Sequence, residues 1–131
     1  MLDRISPYVL LVSRVMLAMI FVKAGWGKIA GYAGTQTYME AMGVPGNVLP
    51  LVILLELGGG LAILFGSFTR SLSLVIAGFS VFSGLIFHFD LQDGGQTIHL
   101  MKNIAIAGGF GALMVVGPGK FSLDHRFSKS W

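Results

Sequence analysis

The sequence predicts an all-α membrane protein, a four-transmembrane-helix bundle with a short interfacial helix between spans 1 and 2, as one domain over residues 1–131. Three observations predict it. Of the 131 residues, 54% are hydrophobic and 11% charged, with nine basic and six acidic side chains. An average soluble domain of this length carries roughly 33 charges. Four apolar stretches, roughly 8–29, 48–65, 72–89 and 100–116, are each close to the ~20 residues that cross a hydrocarbon core. None shows the strict alternation of a barrel strand.

Span 1 runs from Tyr8 to Ile29 and is interrupted by Arg14, Lys23 and Lys28. It does not read as a cleaved signal: Arg14 breaks the apolar region, Asp3 offsets Arg4, and three more spans follow. Thr35 to Met42 is then expected to form an amphipathic helix on the membrane surface. Thr35 is its expected N-cap, Gly43 its stop, and Pro45 bars continuation. Span 2 contains one charge, Glu56, and ends in the tight turn Gly66–Arg70. Span 3 has no formal charge before Asp90, and Asp93-Gly94-Gly95 marks a turn. Span 4 opens with Lys102 and Asn103 and stops at Gly117-Pro118-Gly119. The tail mixes Lys120, Arg126 and Lys129 with Phe121, Phe127 and Trp131, which suits a membrane surface. Small residues four apart, such as Ser80 with Gly84 and Ala105 with Gly109, suit close helix packing. A homo-oligomer face is compatible with the same stripes.

Charge asymmetry orients the bundle. Arg4, Arg70, Lys120, Arg126 and Lys129 fall on one side, and Glu40, Asp90 and Asp93 on the other. The positive-inside rule puts both termini in the cytoplasm of a multi-pass inner (plasma) membrane protein. Net charge is +3, but no Lys/Arg run supports nucleic-acid binding. The absence of cysteine excludes disulfides, thiolate metal sites and Fe–S clusters carried by this chain. No metal site is expected.

Four charges remain inside or at the ends of the spans: Arg14, Lys28, Glu56 and Lys102. A charge at membrane depth costs about 2.5–3.5 kcal/mol even on the lenient insertion scale and normally faces a partner in the bundle. Counting a rise of 1.5 Å per residue leaves Arg14 and Glu56 on the order of 8 Å apart in depth, so an Arg14–Glu56 pair is expected. Arg14, Phe21, Gly25 and Lys28 share one helix stripe. Lys23 lies opposite and is expected to snorkel to the interface. His88, His99, Lys102 and Asn103 gather at the same end of the bundle as Lys28 and Glu56.

Arg14 with Phe21-Val22-Lys23-Ala24-Gly25-Trp26-Gly27-Lys28-Ile29 resembles the R…F-x-x-x-G-x-x-K-[LI] signature of the DoxX family. Gly43-Val44-Pro45 is similar to that family's G-x-P segment, Glu56 with Gly60 to its E-x-x-x-G pattern, and Lys102-Asn103 to its basic–amide pair. Lys23 departs from the pattern as a second basic residue inside the signature. The resemblance covers nearly the whole chain. It implies a small four-helix inner-membrane protein associated with quinone-linked oxidoreductase systems and with quinone or oxidative-stress resistance.

On that reading, Glu56, Lys102 and Arg14 are candidate catalytic residues of a quinone-linked oxidoreductase or of its membrane subunit. Lys28, Phe21, Trp26, His88 and Asn103 are candidate quinone-binding residues, and Phe87 a further ring contact. The quinone carbonyls need donors, and Glu56 would relay protons. Electrons would come from a soluble or membrane redox partner. Two histidines flanking one loop are poor grounds for haem ligation, and no haem is expected. A sulfur oxyanion on Lys28 or Lys102 stays open. The alternative is a non-enzymatic scaffold or a small-solute or proton passage, with Arg14–Glu56 as a structural pin.

Overall fold

The computed structural model describes residues 1–90 and 92–128; the tail residues Lys129 and Trp131 lie outside them. Helix α1 covers Leu2–Ala30, α2 Tyr32–Ala41, α3 Gly46–Phe65, α4 Thr69–Phe87, α5 Gly94–Val116 and α6 Leu123–Arg126. Of these, α1, α3, α4 and α5 are long and apolar enough to cross a membrane. The expected span 1 is thus six residues short at its start. Span 4 is short by as much, because Asp93 does not merely turn the chain: its carboxylate accepts from Gly95 N at 2.9 Å and Gln96 N at 3.3 Å and N-caps α5. Such a cap satisfies amide groups that a helix start leaves unpaired.

Neighbouring spans run antiparallel in the order α1, α3, α4, α5, with α5 returning to α1. The closest approach is between α1 and α3. A Cβ on Gly25 would lie 2.7 Å from both the Cβ and the backbone N of Leu57. One on Gly60 would lie 3.1 Å from Val22 N. Glycine at these two positions lets the backbones touch where apolar burial gives no drive inside lipid. Gly25→Ala is therefore expected to push α1 off α3 and to cost about 2 kcal/mol, read as a fall in thermal midpoint in detergent. A midpoint unchanged from wild type would refute the tight crossing.

Where the four helices converge, Ala18, Ile63, Ile76 and Phe110 are fully buried, with Phe21 and Leu113 beside them. Phe21 meets Phe110 edge to face at 5.5 Å. This core fills the half of the bundle nearer the termini, called here the tail end. At the opposite end, the α2 end, the packing changes. α3 touches α4 chiefly through Gly59–Phe65, next to their connecting turn. Beyond that the two helices diverge and leave a wedge, and α2 closes its top.

α2 begins earlier than its polar pattern suggested. Gly31 is its N-cap, and Thr35 is not: its hydroxyl donates back to Gly31 O at 2.9 Å from within the helix. Gly43 follows with φ +82°, a left-handed conformation that ends the helix at low cost only for glycine.

Candidate functional site

The wedge between α3 and α4 holds a cavity of about 360 Å³. Val48 and Val52 of α3 and Phe79, Phe82 and Ile86 of α4 form apolar walls. Tyr38 and Met39 of α2 form the roof, with Tyr38 stacked on Phe87 at 5.5 Å and 23°. Phe82 lines the cavity while 66% exposed. The wall therefore opens sideways between the helices, on a face that the bilayer would cover.

One polar pair lies in this wall. Lys28 Nζ donates to Glu56 Oε2 at 2.7 Å and to Oε1 at 3.1 Å, with the two side chains 28% and 6% exposed. The pair exists because of the α1–α3 register. Gly25 sits level with Leu57, so Lys28, one turn further on, reaches back to Glu56. The backbone also bulges there: Leu54–Gly58 winds as a single π turn between α-helical segments. Such a turn inserts one residue and re-aims side chains, and it recurs at functional sites. Here it carries Glu56 into the wall.

Arg14 and Glu56 do not pair, which corrects the expected pin. With Gly25 level with Leu57, Arg14 lies about 16 Å further along α1, out of reach of Glu56. It is 1% exposed and serves the tail end instead. Its guanidinium donates to Leu64 O at 3.2 Å, Pro118 O at 2.5 Å and Phe121 O at 2.7 Å. It thus caps the end of α3 and clamps the segment after α5. Arg70 does the same for α5, donating to Val115 O at 3.1 Å and Val116 O at 3.4 Å. Cations at helix C-termini satisfy unpaired carbonyls and oppose the helix dipole. The tail reciprocates: Asp124 accepts from Phe68 N and Thr69 N, each at 2.8 Å, and so caps α4 from outside the helix.

The other candidate residues separate in space. His88 lines the cavity, its Nδ1 lies 2.7 Å from Gln96 Oε1, and its ring stacks on His99 at 5.0 Å. Asn103 is one helix away, binding Ser80 O at 3.0 Å across the α4–α5 contact. Lys102 is exposed and makes no hydrogen bond or ion pair among the described residues. Phe21 is a core residue. Trp26 is 67% exposed on the opposite face of α1. Of the nine candidates, then, Lys28, Glu56, His88 and Phe87 line the cavity, while Arg14, Phe21, Trp26, Lys102 and Asn103 do not. Sequence reasoning missed Tyr38, Thr35 and Ser83, which do. Tyr38 was visible as an aromatic on an amphipathic helix, but its place over the cavity depends on where α2 folds back. Among the described residues no three of His, Cys, Asp or Glu gather as a metal site.

The family model DoxX matches residues 9–89. Inner membrane protein YqjF of Escherichia coli (strain K12) is 54% identical over 121 residues, covering 92% of this chain and 93% of its own length. Inner membrane protein YphA of the same organism is 34% identical over 127 residues, covering 92% and 91%. No solved structure matches.

Proposed function

The chain belongs to the DoxX family, and we propose that it is an inner-membrane protein that takes a neutral, membrane-soluble carbonyl compound of the quinone class into the α3–α4 cavity. The observation that carries this reading is the composition of the cavity wall: a lipid-facing opening, apolar and aromatic sides, and one neutralised ion pair.

The residues suit such a ring. A volume of about 360 Å³ accommodates a substituted quinone head with the start of its tail. An ammonium carries three donors, and Glu56 takes two of those on Lys28. The third is free for a carbonyl oxygen. The same pairing argues against a sulfur oxyanion. Glu56 cancels the charge of Lys28, and Lys102 stands outside the cavity, so an anion would meet a carboxylate and no uncompensated cation. Bound there, a quinone would supply two-electron carbonyl–hydroxyl chemistry, with electrons from a redox partner. The chain's own groups would hold the ring against Tyr38 and Phe87, donate from Lys28 to one oxygen, and keep a proton-accepting carboxylate at Glu56. A through-passage is less well supported, because Ala18, Ile63, Ile76 and Phe110 close the tail-end half.

The test is mass spectrometry of gently solubilised protein, with ubiquinone and menaquinone analogues added. Wild type is expected to retain quinone. Val52→Trp, which fills the cavity from an exposed-side wall, should lose it, with a drop in affinity of at least about tenfold for a hydrophobic pocket blocked by a large side chain. Lys102→Ala should bind as wild type. Quinone retained by Val52→Trp, or lost with Lys102→Ala, would overturn the assignment to this cavity.

A further inference from the structure

Lys23, the basic residue that departs from the family signature, lines a second groove on the opposite face of α1. From it we infer that the protein holds one anionic phospholipid at the α2-end interface, its phosphate on Lys23 and an acyl chain in the groove. The groove has a volume of about 710 Å³ and follows the α1–α3 seam. Its floor is the close crossing at Gly60 and Val22. Its walls are Met16, Met19 and Ile20 on α1 and Leu64 on α3. From Met16 to Trp26 it extends roughly 15 Å along the helix, at 1.5 Å per residue, which suits an extended acyl chain.

Three features select the occupant. Lys23 is exposed and makes no hydrogen bond or ion pair among the described residues, so its charge is uncompensated. Trp26, 67% exposed, stands one turn nearer the α2 end beside the groove, the position of an aromatic at a headgroup boundary. α1 has 29 residues and so a length of about 43 Å, more than a hydrocarbon core of ~30 Å. Centred on the bilayer, it brings Lys23 just inside the boundary, within snorkelling reach of a phosphate. A zwitterionic headgroup would bring its own cation to the same place, whereas an anionic one leaves its phosphate for Lys23. The groove is separate from the α3–α4 cavity, so this inference does not depend on the quinone reading.

Native mass spectrometry tests it, on full-length protein exchanged into detergent with phosphatidylglycerol or phosphatidylcholine of matched chains. Wild type is expected to keep one phosphatidylglycerol per chain, with about fivefold preference over phosphatidylcholine, the effect of one basic residue near a charged headgroup. Lys23→Gln should abolish the preference with no change in thermal midpoint, since the side chain is exposed. Lys23→Arg should restore it, and Lys120→Gln should leave it intact. Inorganic phosphate alone should leave no adduct. Equal retention of both lipids would overturn the inference, as would a preference unchanged in Lys23→Gln, phosphate binding without lipid, or a second copy of the chain occupying this face.

Discussion

Lys28→Ala is expected to destabilise the protein by about 3 kcal/mol, because removing one partner of a buried pair leaves the other charge uncompensated. Glu56 is 5% exposed and has no other charged partner among the described residues. The value sits at the low end of the range for buried pairs because Lys28 is 28% exposed, and water reaches it. Lys28→Met combined with Glu56→Met should recover most of the loss, since replacing both partners removes the uncompensated charge and keeps the volume. The double variant should nevertheless fail to bind quinone, which separates the structural role of the pair from its chemical one. Unfolding of the four proteins in one detergent measures the coupling. Additive effects of the two single changes would show that the ion pair does not form in the folded protein. An Arg14→Glu, Glu56→Arg exchange should show no recovery, because those residues stand at different depths.

Arg14→Met is expected to be more damaging still, on the order of 4 kcal/mol, by a different route. Three carbonyls, of Leu64, Pro118 and Phe121, lose their donor at once, and an unsatisfied buried polar group costs about 1–3 kcal/mol. Water reaching this end of the bundle keeps the total below the simple sum. Arg14→Lys should rescue only part, because an ammonium lacks the planar fork that spans separated acceptors. The local readout is proteolysis. With the clamp gone, the segment from Pro118 onward should be cut faster, and Asp124 should no longer cap α4. That matters because Phe68 holds a left-handed backbone, φ 52°, which is strained for a non-glycine residue and is fixed by the Asp124 carboxylate. A tail cut no faster than in wild type would refute the clamp. Arg70, which makes two bonds at the neighbouring helix end, offers an internal comparison with a smaller expected loss.

Arg14, Lys28 and Glu56 were each identifiable from sequence, because a charge in an apolar span has to be satisfied and there are few of them. Their partners were not. Counting from the outer span ends left Arg14 on the order of 8 Å from Glu56 in depth, but those ends are not level: with Gly25 beside Leu57, α3 runs about six residues past the end of α1. That offset carries Arg14 away from Glu56 and brings Lys28 to it. Lys102 and Asn103 are neighbours in sequence but do not share an environment: the amide faces Ser80, and the ammonium faces outward. A difference of one residue is about 100° on a helix, and hydropathy alone does not say which direction faces the neighbour.

By itself, the sequence determined how many helices cross the bilayer, where they begin and end to within about two turns, and that they belong to a DoxX protein. Hydrocarbon thickness sets the length of an apolar run, and a helix satisfies its own backbone, so these properties are local. The tertiary structure alone decided that Lys28 pairs with Glu56, that Arg14 holds the tail, and that α3 and α4 part to leave a cavity roofed by Tyr38. Each depends on the register set by the contacts of Gly25 with Leu57 and Gly60 with Val22. Register between helices in lipid comes from shape-matched packing and not from hydrophobic pattern, because every lipid-facing side looks alike to the solvent.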